Sequence, residues 1–101
     1  MSFGLRWTNA AQRDLLEIWH WRGREHPERG DEVLDEIAAR CDRLRRFPKL
    51  GPPFPKVAPD ARKLSIDIYL ALYRIEADSI VIVRVVDQRQ RLERIKIETG
   101  K

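Results

Sequence analysis

Between Ala61 and Val86 the chain reads ARKLSIDIYLALYRIEADSIVIVRVV, apolar at most positions and rich in β-branched and aromatic side chains. Asp67-Ile68 and Ala77-Asp78 interrupt it, so the pattern predicts three successive antiparallel strands over 61–66, 69–76 and 79–87. Two-residue turns at both breaks would set Leu70 opposite Val85, Leu72 opposite Val83 and Tyr73 opposite Ile82. Strand side chains alternate, so the meander has two faces. One carries Leu64, Ile66, Tyr69, Ala71, Tyr73, Ile75, Ile80, Ile82 and Val86, with Arg62 and Arg84 among them. The other carries Lys63, Ser65, Leu70, Leu72, Arg74, Val81, Val83, Val85, Asp87 and Arg89. The first is the expected core.

Upstream, Phe3, Leu5 and Trp7 alternate with Ser2, Gly4 and Arg6, which predicts a short strand in the same sheet. Thr8 or Asn9 can cap a following helix, because either side-chain oxygen can accept a free first-turn N–H. Its stripe is Ala11, Leu15, Ile18, Trp19 and Arg22, with Trp21 pointing away. GREHPERG, residues 23–30, holds two glycines and a proline and is expected to be a loop. A second helix is expected from about Asp31 to Phe47, with Leu34, Ile37, Ala38, Cys41 and Leu44 as its stripe. Acidic residues load its first turns and arginines its last, the sense that the helix dipole favours. Residues 48–61 hold all but one of the six prolines and read as an extended connector. The expected fold is therefore α+β: an N-terminal strand, an αα-hairpin, then a three-stranded antiparallel meander, with the helices packed on one sheet face. A chain of 101 residues has room for a single domain, 1–101, with one core. Past Asp87, Leu92, Ile95 and Ile97 stand among many charges, and the pattern does not choose between strand, helix and tail.

Composition narrows the class without naming a function. At 43% hydrophobic and 36% charged, the chain is too apolar to stay disordered. The formal charge of +4 suits an acidic partner but does not select one. A lone cysteine, Cys41, excludes an internal disulfide and a multi-cysteine metal site, and its place on a helical stripe makes it a small core residue. The chain shows no leader pattern and no run of the ~20 apolar residues that a membrane span needs, so a cytoplasmic protein is expected. His20 and His26 lack partners for catalysis or metal binding, and no phosphate loop or nucleophile motif occurs. No cofactor, no metal and no stable small-molecule ligand are expected.

The functional reading rests on the second sheet face. Leu70, Leu72, Val81, Val83 and Val85 form an aliphatic strip that the helices cannot also cover, fringed by Lys63, Arg74 and Arg89. A bare apolar strip with a charged rim marks a protein partner; the competing expectation is that Leu92 and Ile95 fold back over it.

Several segments resemble the RelE/ParE superfamily of bacterial toxins. They are Ala11 with DLLEIW (14–19), LRRFPKLGPP closing the second helix, RKLSIDIYLALYRI across the hairpin and IVIVRVVDQRQ in the last strand. The resemblance implies the toxin half of a type II toxin–antitoxin module, of the kind that serves plasmid stabilisation, neutralised by a cognate antitoxin. RelE-like members cleave mRNA on the ribosome with a basic set and a late Tyr; ParE-like members bind and inhibit DNA gyrase. Here the nuclease's central Arg position is Leu70 and its late Tyr position Ile95, while Lys63 and Arg89 fall at two basic positions. Leu70 favours the ParE-like, non-enzymatic side. Asp87 stands where ParE-like chains commonly carry His, and Gln90-Arg91 replaces Arg-Asp, which keeps a non-toxic relic as a third reading. The expected antitoxin-binding residues are Lys63, Leu70, Leu72, Arg74, Val81, Val83 and Val85. Target binding is expected at Trp21, Arg89, Arg91 and Arg94.

Overall fold

The computed structural model describes residues 2–89 and 95. Strand β1 (Gly4–Trp7) leads into helix α1 (Asn9–Arg22), helix α2 (Pro27–Asp42) and a 3-10 turn at Arg43–Arg45. The meander follows as β2 (Arg62–Ile66), β3 (Tyr69–Glu76) and β4 (Ser79–Asp87). The sheet order is β1-β4-β3-β2, with β1 parallel to β4 and the other pairs antiparallel. Both hairpins turn on the two residues expected, with Asp67 and Ala77 at positive φ.

Thr8 is the helix cap. Its hydroxyl oxygen accepts from the Ala11 N–H at 3.1 Å, one of the first-turn donors that lack an intrahelical partner. The same hydroxyl donates to the Val83 carbonyl at 2.9 Å, so the start of α1 is tied to β4. Helix α2 begins four residues earlier than the pattern predicts. Pro27 occupies its first turn, where a missing N–H costs nothing. Gly30 lies inside the helix because α2 crosses α1 there: a Cβ on it would stand 2.6 Å from the Trp19 carbonyl. The buried stripe is accordingly Gly30, Val33, Ile37 and Cys41, continued by Leu44. Leu34 is half-buried and Ala38 exposed, which corrects the stripe expected from periodicity. Trp19 is likewise no core residue. It is 42% exposed, packs against Gly30 and donates its indole N–H to Asp31 at 2.9 Å, joining the two helices.

The β3–β4 ladder runs Glu76↔Ser79 to Tyr73↔Ile82 and then slips by one residue. Val83 is the extra residue of a β-bulge, so Leu70 faces Val86 and Leu72 faces Arg84. Val85 and Val86 thereby exchange faces: Val85 joins the main core under the helices and Val86 the second face. Helix α1 holds the bulge in place. Beyond Ile82 the edge of β4 has no β1 residue beside it. There the Thr8 hydroxyl takes the Val83 carbonyl, and the Asp14 carboxylate accepts the Val85 N–H at 2.9 Å. Asp14 also receives Arg84 through Nε at 2.7 Å and Nη2 at 3.0 Å, a two-pronged ion pair with favourable geometry.

Residues 48–61 form a third layer, a strap across the second sheet face. Tyr73 anchors its start: the phenol donates to the Pro48 carbonyl at 2.7 Å and accepts from the Gly51 N–H at 3.0 Å. Gly51 sits so close to β2 that a Cβ would lie 2.3 Å from the Lys63 carbonyl. The far end closes on Phe54 N–H to Ala61 carbonyl and Lys63 N–H to Pro52 carbonyl, at 2.7 and 3.1 Å.

Three measurements check this account. Asp14→Ala should cost roughly 2–4 kcal/mol in denaturant unfolding, because it strands the part-buried Arg84 and the Val85 N–H together. Asp14→Asn, which still accepts a hydrogen bond, should cost less; equal losses would refute the double role. Tyr73→Phe should destabilise by about 1–3 kcal/mol, the penalty for leaving buried strap groups unpaired. Burial pushes the Cys41 thiol from 9.0 up to about 12. Its contribution to stability is therefore full below pH 9 and declines as pH rises from there towards 12. Iodoacetamide at pH 8 should leave Cys41 unmodified until the chain is unfolded.

Candidate functional site

The aliphatic strip is present but not bare. Leu70, Leu72, Val81 and Val83 are each at most 8% exposed and, with Val86, form a second hydrophobic cluster. Phe54 and Val57 of the strap pack on it, together with Ile95. The expectation of an open docking strip is corrected on this point. Read from sequence, the strap's prolines signalled only an extended connector. Its interspersed Phe54, Val57 and Ala58 are the signal that it covers something.

The basic fringe is occupied as well. Arg74, expected at the rim, is buried at 8% exposure. Its Nε donates to Asp60 on the strap at 2.8 Å, and Nη1 lies 3.4 Å from Glu76. Lys63 stands over the Phe54 ring, with Nζ 4.6 Å from its centre, a cation–π contact that pins the strap again. These side chains thus hold the chain's own third layer. Val85 is under the helices and contributes nothing to this face. Among the described residues no group of three or more His, Cys, Asp or Glu side chains could hold a metal ion. His20 and His26 are exposed.

On the helix side, a cleft of about 210 Å³ opens between α1 and the end of β4. Asp14, Glu17, Trp21, Tyr69, Arg84 and Asp87 line it. Trp21 is 62% exposed, and the Arg24 guanidinium sits 3.7 Å above its ring while donating to its carbonyl at 2.8 Å. The indole is therefore presented on a braced surface. Arg22 donates to the Tyr69 hydroxyl at 3.1 Å. Arg89 chelates Asp87 through Nε and Nη2 and holds that carboxyl down at about 2, against its ordinary 3.8. Trp21 and Arg89, expected to contact a target, are thus brought to one neighbourhood through Asp87. Arg91 and Arg94 lie outside the described residues. With Asp14 and Asp87 paired to arginines, the cleft offers charge, including the Glu17 carboxylate, and an aromatic ring for binding.

Phe47 and Leu50, which the residue pattern places at a helix end and in a connector, are 55% and 45% exposed at the turn that starts the strap.

The family model for the ParE toxin of the parDE type II toxin–antitoxin system matches residues 5–92. Toxin ParE1 of Mycobacterium tuberculosis is 31% identical over 87 residues, covering 84% of this chain and 89% of that protein. Toxin ParE3 of Caulobacter vibrioides is 34% identical over 59 residues, or 58% of this chain and 59% of that one. The solved chromosomal ParDE system of P. aeruginosa superposes with a TM-score of 0.73 at 25% identity, covering 85% of this chain and 96% of that chain. The RelBE2 toxin–antitoxin complex of Mycobacterium tuberculosis shares the fold, with a TM-score of 0.68 at 22% identity over 86% of this chain and 92% of that one. A sheet backed by a helical hairpin, in the same order and over nearly the same span, goes with these matches: the chain belongs to the ParE toxin family of type II toxin–antitoxin systems.

Proposed function

We propose that the chain inhibits DNA gyrase by binding it, without chemistry of its own, and is held in check in the cytoplasm by a cognate antitoxin. The observation that supports this reading is the filling of the second sheet face. Where a RelE-like nuclease would hold its central Arg, Leu70 is buried beneath the strap. Phosphodiester cleavage needs several fixed charges on the scissile phosphate and its nucleophile. On this face Arg74 is neutralised by Asp60 and Glu76, and Lys63 rests on Phe54. The antitoxin follows from the family and from the solved relatives, which are toxin–antitoxin systems. No helix among the described residues is long and apolar enough to cross a membrane.

The target contact in this reading is Trp21 with Arg89, joined by Arg91 and Arg94. Large aromatic side chains and arginines dominate binding energy at protein interfaces, and a braced, exposed Trp is such an anchor. Purified chain should inhibit gyrase supercoiling and leave mRNA intact in a reconstituted translation reaction. Trp21→Ala should raise the concentration needed for half-inhibition at least about tenfold, the range of a hot-spot truncation. Cleavage of mRNA at ribosome-bound codons would overturn the proposal in favour of a RelE-like nuclease. Failure of the free chain to arrest growth would point to the non-toxic relic.

A further inference from the structure

One solvent-exposed apolar site is left over once the strip, the cleft and the interhelical contacts are accounted for. It is a hollow of about 500 Å³ where β1 begins and β3 ends, lined by Phe3, Phe47, Pro48, Lys49, Leu50 and Ile75. That volume is within the range of about 300–1,000 Å³ typical of pockets that take apolar groups. Its walls are fixed. The Phe47 N–H bonds the Arg43 carbonyl and the Leu50 N–H bonds the Phe47 carbonyl, both at 3.0 Å. The Tyr73 hydroxyl holds Pro48 and Gly51 on either side of Leu50. The Phe3 N–H and carbonyl are both bonded by Arg45, through its carbonyl and its Nε. Phe47 and Leu50 are thus displayed on an ordered backbone, and a partner entering there would meet little ordering cost.

Charge identifies the partner's chemistry. The turn that displays Phe47 and Leu50 also carries Arg43, Arg45, Arg46 and Lys49, all exposed, against one acid, Asp42, which pairs with Arg45. An apolar hollow beside a basic turn matches a segment that alternates apolar side chains with carboxylates. Building on the toxin–antitoxin reading, we infer that this hollow is the docking site for an acidic, amphipathic segment of the antitoxin, with Phe47 and Leu50 as its apolar contacts. The buried strip is then part of the fold, and neutralisation works through a surface at the opposite end of the strap from Asp60.

The test uses the full chain and the small protein encoded by the adjacent open reading frame. Phe47→Ala with Leu50→Ala should weaken binding at least tenfold while the melting temperature stays near that of the wild type, since both side chains are exposed. Leu16→Ala, which trims a 63% exposed apolar residue on α1, should leave affinity unchanged. Arg46→Glu with Lys49→Glu should lower affinity most at low salt and flatten its salt dependence. If the wild type binds and the Phe47/Leu50 variant binds equally well, the inference falls and the toxin–antitoxin reading stands. If the adjacent protein does not bind the wild type, both fall. Loss of gyrase inhibition or of self-association in the variant, with antitoxin affinity intact, would assign the hollow to the target or to a second copy and overturn the inference.

Discussion

The first two turns of α1, from its cap Thr8 to Asp14, decide how the last strand is wound. Strand β1 ends opposite Ile82, and a sheet edge left there would expose unpaired backbone groups to a semi-buried junction. Helix α1 supplies the missing partners. Thr8 takes the Val83 carbonyl, Asp14 takes the Val85 N–H, and Arg84 closes on the same carboxylate. The bulge at Val83 follows from this arrangement, because one extra residue lets both groups turn towards the helix. Every residue beyond it changes face. Val85 enters the main core and Val86 the second cluster, while Asp87 arrives at the cleft beside Trp21.

The strap gives the sheet a second buried face and thereby alters what the fold can do. An uncovered strip of Leu70, Leu72, Val81 and Val83 would be a liability in water, since a contiguous exposed apolar surface of that size draws partners or aggregates. Proline suits the covering role. A strap lying across a sheet without pairing to it along its length has few backbone donors to satisfy, and five prolines remove five of them. Polar anchors then fix it at both ends, Tyr73 at the start and Arg74 with Asp60 at the finish. The consequence for function is chemical: the face that could have held a charged nuclease centre is filled with hydrocarbon.

Among the described residues, two exposed regions differ in character. The α1–β4 cleft is polar, with Asp14 and Asp87 paired to arginines and one braced indole at its edge. The hollow beside Phe47 is apolar with basic neighbours. Surfaces of unlike chemistry suit different partners, because specificity is set by which contacts each partner can complete.

Much of this molecule is legible in its residue pattern. Hydrophobic alternation and the Asp67 and Ala77 breaks place all three meander strands within a residue of their observed limits, and a cap at Thr8 or Asn9, the αα-hairpin and the buried Cys41 follow from local chemistry. Those features depend on neighbours a few positions apart, which a linear pattern contains. Apart from the start of α2, which Pro27 sets locally, the main departures depend on contacts that a linear pattern does not contain. Gly30 reads as a helix breaker until Trp19 lies against it, and the bulge is invisible in a run where Ile80 to Val86 are nearly all apolar. Whether the strip would be bare or roofed depended on where a proline-rich segment came to rest. The residue pattern carries the elements, their order and the likeness to the family. Which apolar surfaces are already taken is settled in the folded chain, because burial depends on long-range packing and not on local periodicity.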